Sequence, residues 1–366
     1  MKILTVVGAR PQFIKAAVVS KAIRESSGCS EVMVHTGQHF DANMSDVFFD
    51  ELGIEKPKYN LGIGGGAHGA MTGEMLGNVE QVIVDEKPDV LLVYGDTNST
   101  LAGALAAAKL HVPVAHVEAG LRSRNYHMPE ELNRILTDQI SSWLFTPTQV
   151  AEKNLRREGF DERRIFPVGD VMFDATQHFG SMLDSADGVL GKLALAAGGY
   201  ILVTVHRAEN TDDPQRLASV CEAIDELSAK HDLVWPLHPR TRAALSREGL
   251  DFANAKRLHI VDPVGYLEML RLEKYSALVL TDSGGVQKEA FFQGVPCVTV
   301  RDETEWTELV DSGWNRVCPP VSSAAIVAAA EASIGHTGQA VSPYGDGRSA
   351  NAIVDVLLDE PDTLFS

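Results

Sequence analysis

The chain has 366 residues, enough for about two domains at roughly 150 residues per domain. Apolar residues make up 45% of it and charged residues 22%, which excludes disordered, collagen-like and coiled-coil proteins. Because the formal net charge is −18, the surface repels phosphate backbones, and we expect no nucleic acid as a partner.

The sequence gives no sign of a membrane segment or a metal centre. No apolar run approaches the roughly 18 residues that a membrane helix needs. The N-terminal stretch MKILTVVGARPQF lacks a small-residue cleavage site and is predicted to be a first strand. The four cysteines (Cys29, Cys221, Cys297 and Cys318) lie far apart and form no CxxC, which is typical of reduced thiols. We therefore expect a soluble, cytoplasmic protein with no bound metal and no membrane partner.

Short β-branched runs recur along the chain, with helix-like stretches between them. Their almost continuous apolar character is typical of strands that are covered on both faces, as in a parallel sheet. The alternation therefore predicts an α/β fold with doubly wound sheets. The nine predicted strands are residues 3–7, 32–36, 90–94, 112–117, 143–147, 201–205, 233–237, 277–281 and 297–300.

The alternation weakens between about 165 and 200, where a Gly- and Ala-rich stretch follows VGDVMFD. We place a domain boundary near residue 168. Two such domains face to face would leave a central cleft at the carboxyl ends of their strands, where open α/β sheets bind ligands. Residues that directly follow the strands are therefore the candidates for function.

The first predicted strand continues into GARPQFIK (8–15). Gly8 permits a tight turn, Arg10 is a fixed cation, and Lys15 lies about one turn into the next helix, so this position suits an anion. A loop with a solvated arginine is the alternative. A GxGxxG pattern (64–69) is interpreted as a loop and not as a dinucleotide site. No clear buried strand precedes it, and no acidic residue follows a second strand about 20 positions later, as the dinucleotide fingerprint requires.

Carboxylates cluster after the third and fourth predicted strands. Asp96 lies at a strand end in YGDTNST, where it is either a functional acid or a helix cap. Glu118 ends a buried strand, and such a desolvated position raises a carboxyl pKa toward the range useful for acid–base chemistry. Glu130 and Glu131 follow Pro129 in the first turn of a helix, where complementation of the helix dipole is the alternative role.

The second half of the chain offers a histidine and a helix start. His206 follows a strand in TVHRAEN, and a buried structural histidine is the alternative. In TDSGGVQKEA, Ser283 is expected as the N-cap, while Gly284 and Gly285 let backbone N–H groups approach an anion. Glu289 lies one turn further on and is placed to accept hydrogen bonds from a ribose diol. This pattern favours a nucleoside diphosphate over a merely well-capped helix.

Taken together, these segments resemble the non-hydrolysing UDP-N-acetylglucosamine 2-epimerase family. The resemblance covers residue 3 to about 310. A single motif would be weak evidence for the family, but eight motifs in the family's order are specific evidence. These motifs are VVGARPQFIK, TGQH, YGDT, HVEAGLRS, PEELNR, TVHRAEN, TDSGG and QKEA.

The resemblance implies two Rossmann-like domains in the GT-B arrangement of nucleotide-sugar glycosyltransferases. The N-terminal domain would be residues 1–167 with a returning C-terminal helix (about 347–366), and the UDP-binding domain residues 168–346. The implied catalytic residues are Asp96, Glu118, Glu130 and His206. The implied ligands of the UDP-sugar are Arg10 and Lys15, with Ser283, Gly284 and Gly285 for the diphosphate and Glu289 for the ribose.

In the family reaction, the C2 proton is removed and UDP is expelled from C1. A proton is then delivered to the opposite face of C2 and UDP adds back to C1, which gives the inverted sugar. The reaction needs no cofactor, and the resemblance also implies a homodimer. A glycosyltransferase of the same fold, a hydrolysing epimerase and a catalytically inactive nucleotide-sugar sensor are the alternatives.

Two departures from the family pattern concern the sugar. The loop between Arg122 and Pro129 is short, and Trp306 stands where TERPE would place an arginine. GLRSxxxxMPEE with RDETEW is similar to the branch acting on UDP-2,3-diacetamido-2,3-dideoxyglucuronate. Arg122, Arg124 and Lys15 are the candidate partners for the C6 carboxylate of that sugar.

Overall fold

The computed structural model describes residues 1–38, 49, 51–184, 188–252 and 255–359. The chain divides into two compact units, an N-terminal unit (Met1–Ala175 with Ser342–Ser366) and a C-terminal unit (Thr176–Val341). Among the described helices, none is long and apolar enough to cross a membrane.

The N-terminal unit is built on a seven-stranded parallel sheet with the order β3-β2-β1-β4-β5-β6-β7. Its strands are β1 (Lys2–Val7), β2 (Ser30–His35), β3 (Tyr59–Asn60), β4 (Val90–Tyr94), β5 (Val114–Val117), β6 (Trp143–Thr146) and β7 (Ile165–Pro167). Its helices are α1 (Arg10–Glu25), α2 (His68–Glu86), α3 (Asn98–Lys109), α4 (Pro129–Ile140), α5 (Gln149–Arg157), the start of α6 (Val171–Gly180) and α15 (Ser349–Asp359).

The C-terminal unit has a six-stranded parallel sheet with the order β10-β9-β8-β11-β12-β13. Its strands are β8 (Tyr200–Thr204), β9 (Asp232–Pro236), β10 (Leu258–Val261), β11 (Leu278–Thr281), β12 (Cys297–Thr299) and β13 (Asn315–Val317). Its helices are α7 (Gly188–Leu193), α8 (Ala208–Thr211), α9 (Pro214–Ser228), α10 (Pro239–Glu248), α11 (Tyr266–Lys274), α12 (Gly284–Phe292), α13 (Thr307–Asp311) and α14 (Ser323–Ser333).

The apolar runs are continuous because each central strand packs on both of its faces. In β8, Ile201 and Val203 join one core cluster with α9 and α14, while Tyr200 and Leu202 join a second cluster with α11 and α12. Successive residues of a strand point to opposite faces, so a strand buried on both sides has no polar alternation. The predicted doubly wound α/β fold is confirmed.

All nine strands predicted from the sequence are present. In the described part of the chain there are four further strands (β3, β7, β10 and β13), which the sequence does not reveal, and they are the edges of the two sheets. An edge strand has one neighbour and borders solvent, so it is short and carries no long apolar run. The GxGxxG stretch lies between the two-residue edge strand β3 and α2.

In both sheets the strand order reverses between two central strands, β1 and β4 in the first and β8 and β11 in the second. At such a point the loops leaving the two strands run to opposite faces and leave a crevice for a ligand. Residues 8–15 and 95–100 flank the first of these points, and residues 205–207 and 282–285 flank the second.

At the opposite end of the first sheet, Glu86 gathers three donors at the C-terminus of α2. Lys2 Nζ lies 2.6 Å from one carboxylate oxygen, and Lys58 Nζ and Tyr59 Oη each lie 2.5 Å from the other. The hydrogen bonds from Lys2, Lys58 and Tyr59 lower the pKa of Glu86 to about 2. This carboxylate therefore joins β1, β3 and α2.

Because the pKa of Glu86 is lowered by folding, its stabilising contribution is complete above the ordinary value of 4.5 and is lost as the pH falls toward about 2. We expect Glu86→Gln to lower the melting temperature of the N-terminal unit at pH 7. The difference from the wild type should shrink steadily below pH 4.5, as measured by calorimetry across pH 2.5–7. A difference that stays constant with pH would contradict an ionic role for Glu86.

Candidate active site

The loop after β1 is fixed by the side-chain amide of Gln12. Its Oε1 accepts hydrogen bonds from the N–H groups of Gly8 (2.8 Å) and Ala9 (3.0 Å). Its Nε2 donates to the carbonyl of Tyr94 (2.7 Å) and to Thr100 Oγ1 (2.9 Å). One amide thus ties the start of α1 to the end of β4 and to α3, although no local signal in the sequence marks it.

Gly8 is required by close packing and not by a positive φ. A β-carbon at this position would collide with the hydroxyl groups of Ser99 and Thr36. Only a residue without a side chain lets α3 approach β1 so closely.

Glu118 directly follows β5 and forms an ion pair with Lys15 from α1. Both side chains are almost buried, with 11% and 9% of their surface exposed. Glu118 has a φ of +72°, in the left-handed region that a residue other than glycine adopts only under constraint. A β-carbon on Gly95 would lie 3.3 Å from Glu118 Oε2 and 3.6 Å from Lys15 Nζ, so the pair lies against the end of β4.

Asp96 follows β4 and binds Arg134 of α4, with 2.5 Å between Asp96 Oδ2 and Arg134 Nη2. Burial raises the pKa of Asp96 above its ordinary value; Arg134 opposes the rise and the charge of Glu118 adds to it. Helix α3 is capped by Thr97, whose Oγ1 accepts from the N–H of Thr100. Asp96 is therefore not needed as a cap.

A cavity of about 200 Å³ lies within the N-terminal unit; Lys15 and Asp96 line it, and their partners Glu118 and Arg134 do not. Three of the predicted site residues line it: Lys15, Asp96 and Glu130. The remaining lining residues are Ala9, Pro11, Gln12, Gln38, His68, Gly95, Thr97, Asn98, Pro129 and Asn133.

The two neighbouring glutamates of α4 have different roles. Glu131 is buried and accepts hydrogen bonds from the N–H groups of Ser123 and Arg124 (2.8 Å each) and from Arg134 Nη1 (3.0 Å). Although burial alone would raise the pKa of Glu131, these hydrogen bonds lower it. Glu131 is occupied in holding the loop before α4, whereas Glu130 is exposed and lines the cavity.

In the C-terminal unit, His206 lies beside the buried carboxylate of Asp282. Asp282 accepts hydrogen bonds from the N–H groups of His206 (3.0 Å) and Arg207 (2.9 Å), and His206 Nδ1 lies 3.6 Å from Asp282 Oδ1. The His206 side chain is 40% exposed, which removes the buried-histidine alternative. The ring of His238 lies 5.3 Å away between centroids, and burial followed by the charge of His206 lowers the pKa of His238.

Ser283 occupies the N-cap position of α12, as expected, but its side chain makes no capping hydrogen bond. A β-carbon on Gly284 would lie 2.5 Å from Glu305 Oε1, so this helix start is closely packed. Glu289, one turn further on, is buried to 8% exposure, and its Oε2 lies 4.0 Å from the β-carbon position of Gly285.

Trp306 is buried against this same helix start. Its Nε1 donates to the carbonyl of Gly284 at 2.9 Å, and Lys288 Nζ lies 4.2 Å from the centre of its ring. A cation at that distance from an indole face is attracted by the ring quadrupole. Lys288 therefore places a positive charge next to the position that the family pattern gives to an arginine, although no local signal in the sequence marks it.

Comparison with known proteins identifies the family of the chain. A family model described as UDP-N-acetylglucosamine 2-epimerase matches residues 21–358. The chain belongs to the UDP-N-acetylglucosamine 2-epimerase family.

Members of this epimerase family align with the whole chain. A Pseudomonas aeruginosa protein named UDP-2,3-diacetamido-2,3-dideoxy-D-glucuronate 2-epimerase is 57% identical over 98% of this chain and 99% of its own. The Methanocaldococcus jannaschii UDP-GlcNAc 2-epimerase, solved with UDP-GlcNAc and UDP, has a TM-score of 0.87 and 43% identity over 98% of this chain and 99% of that one. The Neisseria meningitidis enzyme bound to UDP-GlcNAc has a TM-score of 0.86 and 30% identity over 98% of this chain and 100% of that one.

The predicted site residues thus fall into two groups, one in each unit. Arg10 is half-buried at the start of α1, between two residues that line the cavity. His39, the last residue of the TGQH motif, lies outside the described residues. The catalytic and binding roles of these residues stay predictions.

The two glutamates of α4 provide a matched pair for testing the loop. We expect Glu131→Gln to destabilise the N-terminal unit by about 1–3 kcal/mol, because an amide cannot accept from both loop N–H groups and Arg134. Hydrogen exchange should accelerate at Ser123 and Arg124. The control Glu130→Gln should leave both the stability and the exchange unchanged, and equal effects of the two variants would contradict the distinction.

Proposed function

We propose that this protein inverts C2 of UDP-2,3-diacetamido-2,3-dideoxy-D-glucuronate. The observation that carries the choice of sugar is the full-length identity of 57% to the Pseudomonas aeruginosa enzyme of that name. A Methanococcus maripaludis protein named as a UDP-N-acetylglucosamine 2-epimerase homolog is 53% identical over 86% of this chain, and relatives named as UDP-N-acetylglucosamine 2-epimerases are 33–44% identical over 98% of it.

The proposed reaction is an elimination followed by an addition, with no net oxidation. A base removes the C2 proton, the C1–O bond breaks with its electron pair leaving on UDP, and a C1=C2 double bond forms. A second group then delivers a proton to the opposite face of C2, and the oxygen of UDP adds back to C1. Two faces require two acid–base groups, and Asp96 and Glu118 are the proposed pair.

The surroundings of this pair support the assignment. The raised pKa of Asp96 makes its protonated form more available near neutral pH than that of an ordinary aspartate. Lys15 lies against Glu118 and balances its charge in a nearly buried position. We propose Glu130, which lines the same cavity, and His206 as further catalytic groups on the basis of the family pattern.

The start of α12 is the proposed site for the leaving diphosphate. The side chain of Ser283 leaves the first N–H groups of the helix uncapped, and such groups together with the helix dipole stabilise an anion. Lys288 adds a cation beside Trp306. Glu289 is the proposed acceptor for the ribose hydroxyls, and Arg10 is proposed to bind the UDP-sugar.

The proposed contact for the C6 carboxylate is Arg124. Lys15, Arg122 and Arg124 are the three candidate partners for this carboxylate. Lys15 pairs with Glu118, and Arg122 pairs with Asp138 and Glu158. Arg124 is exposed in the loop before α4, and its backbone is held by Glu131. The finer expectations of a cytoplasmic location and a homodimer stay predictions.

The reaction and the sugar are tested together by NMR of the products formed in D₂O from each UDP-sugar without an acceptor. We expect solvent deuterium at C2 of the inverted product, because one group removes the proton and another returns it. The diacetamido-uronate should react with a kcat/KM at least about tenfold above that of UDP-N-acetylglucosamine, which corresponds to about 1.4 kcal/mol. Arg124→Ala should reduce this preference.

The possible outcomes separate the alternatives. Protium retained at C2 would exclude the elimination route. Free UDP with a reducing sugar would indicate a hydrolysing epimerase, and reaction only with an added acceptor would indicate a glycosyltransferase. Binding without turnover would indicate a sensor. Equal rates for the two sugars would overturn the choice of sugar and leave the epimerase assignment intact.

Variants of the proposed acid–base pair provide a second test. We expect Glu118→Gln and Asp96→Asn each to lower kcat by about 10²–10⁴-fold while the Kd for UDP, measured by calorimetry, changes little. Glu162→Gln, at an exposed surface ion pair, is the control and should keep wild-type kcat. Near-normal turnover in either variant would show that the carboxylate has only a structural role.

A further inference from the structure

A buried histidine connects the two loops that carry Asp96 and Glu118. His116 lies in β5 and is fully buried. Its Nε2 lies 2.7 Å from the carbonyl oxygen of Gly95, and its Nδ1 lies 2.7 Å from Asp138 Oδ1. Because a carbonyl oxygen only accepts hydrogen bonds, Nε2 carries a proton.

The partners of Asp138 decide the state of the other ring nitrogen. Asp138 is fully buried, and its Oδ2 accepts from the N–H of Gly120 at 3.1 Å and from Arg122 Nη1 at 2.7 Å. Its Oδ1 faces His116 Nδ1, so both ring nitrogens of His116 face oxygen acceptors. Hydrogen bonds donated from both nitrogens require the imidazolium form of His116.

The hydrogen bonds of this pair end on backbone groups beside the proposed acid–base residues. Gly95 directly precedes Asp96, and the N–H of Gly120 lies two residues after Glu118. The left-handed φ of Glu118 persists only where the surrounding structure fixes it. The carbonyl of Phe145 accepts from the N–H of Glu118 (3.1 Å), and Asp138 holds the backbone at Gly120.

Helix α4 joins this pair to the cavity. Glu130, Arg134 and Asp138 are spaced four residues apart, so they lie on one face of α4 in successive turns. Glu130 lines the cavity, Arg134 binds Asp96, and Asp138 binds His116. The same helix face thus sets the position of both proposed acid–base loops.

We propose that His116, held as an imidazolium by Asp138, is a positioning residue that sets Asp96 and Glu118 against C2 of the sugar. This inference rests on the proposed function. The side chains of His116 and Asp138 are fully buried, whereas those of Glu118 and Asp96 keep 11% and 30% of their surface exposed, so the buried pair acts through the backbone at Gly95 and Gly120. Their loss should affect the chemical step and not the binding of UDP.

The test compares His116→Gln, Asp138→Asn and the double variant. A glutamine can still donate to the Gly95 carbonyl but loses the ionic link to Asp138, and an asparagine has no charge with which to hold His116 as an imidazolium. We expect each single variant to lower kcat by about 10²-fold, the effect of a displacement of about 1 Å. KM for the UDP-sugar and Kd for UDP should stay within twofold of the wild type.

The double variant should lose no more than the worse single variant, because the two residues act as one unit. Glu86→Gln is the control for general destabilisation of the N-terminal unit, since Glu86 lies at the opposite end of the sheet. It should keep wild-type kcat at a temperature where every variant is folded.

A second measurement does not depend on activity. In ¹⁵N-histidine-labelled protein, the His116 resonances, assigned by their absence from His116→Gln, should show both ring nitrogens protonated at the pH of the assay. In Asp138→Asn, one of the two protons should be lost.

Three results would overturn the proposal: wild-type kcat in both single variants, a loss confined to KM, or a His116 with one unprotonated ring nitrogen. If the wild type itself inverts no UDP-2-acetamido sugar, the proposed function fails instead. The NMR result still decides the protonation state of His116 in that case.

Discussion

The candidate site in the N-terminal unit depends on the point where the order of its parallel strands reverses. There the loops after β1 and β4 separate to opposite faces, and the amide of Gln12 holds them together by binding backbone groups of both. Helix α1 then presents Lys15, and the end of β4 presents Asp96. The adjacent β5 adds Glu118. The fold thus brings Lys15 and Asp96 to one cavity and pairs Glu118 with Lys15, so three distant parts of the sequence meet.

Much of this arrangement could be predicted from the sequence because the signals are local. Strands that are covered on both faces are continuously apolar, so β8, with its alternate residues in two different cores, is visible as a run. Polar residues that follow such runs lie at the carboxyl edge of a parallel sheet, which is how Asp96, Glu118, His206 and Ser283 could be selected. The distinction between Glu130 and Glu131 came from the family pattern, and the hydrogen bonds of Glu131 supply a physical reason for it.

The features that could not be predicted depend on partners far apart in the sequence. An edge strand such as β3 has only two residues, and its pairing with β2 decides that it is a strand. In the sequence Gln12 is an ordinary helical residue, and its role follows only from its hydrogen bond to the carbonyl of Tyr94. Likewise, the position of the Lys288 charge could not be predicted, because it depends on the contact between its ammonium group and the ring of Trp306. His116 lies within an apolar run and has no local signal in the sequence. What distinguishes it is its hydrogen-bond contact with Asp138, which lies 22 residues away on α4.

The left-handed backbone of Glu118 has a consequence for how this chain tolerates change. A residue other than glycine in that region costs of the order of 1–3 kcal/mol, and the cost falls on the residue proposed to handle the C2 proton. Glycine at position 118 would relieve this strain but would leave the nearly buried ammonium of Lys15 without its carboxylate, a loss of about 3–5 kcal/mol that outweighs the relief. The backbone therefore favours glycine at this position, whereas the ion pair requires an acidic side chain. The strained glutamate is retained for the stability of the pair as well as for the proposed chemistry.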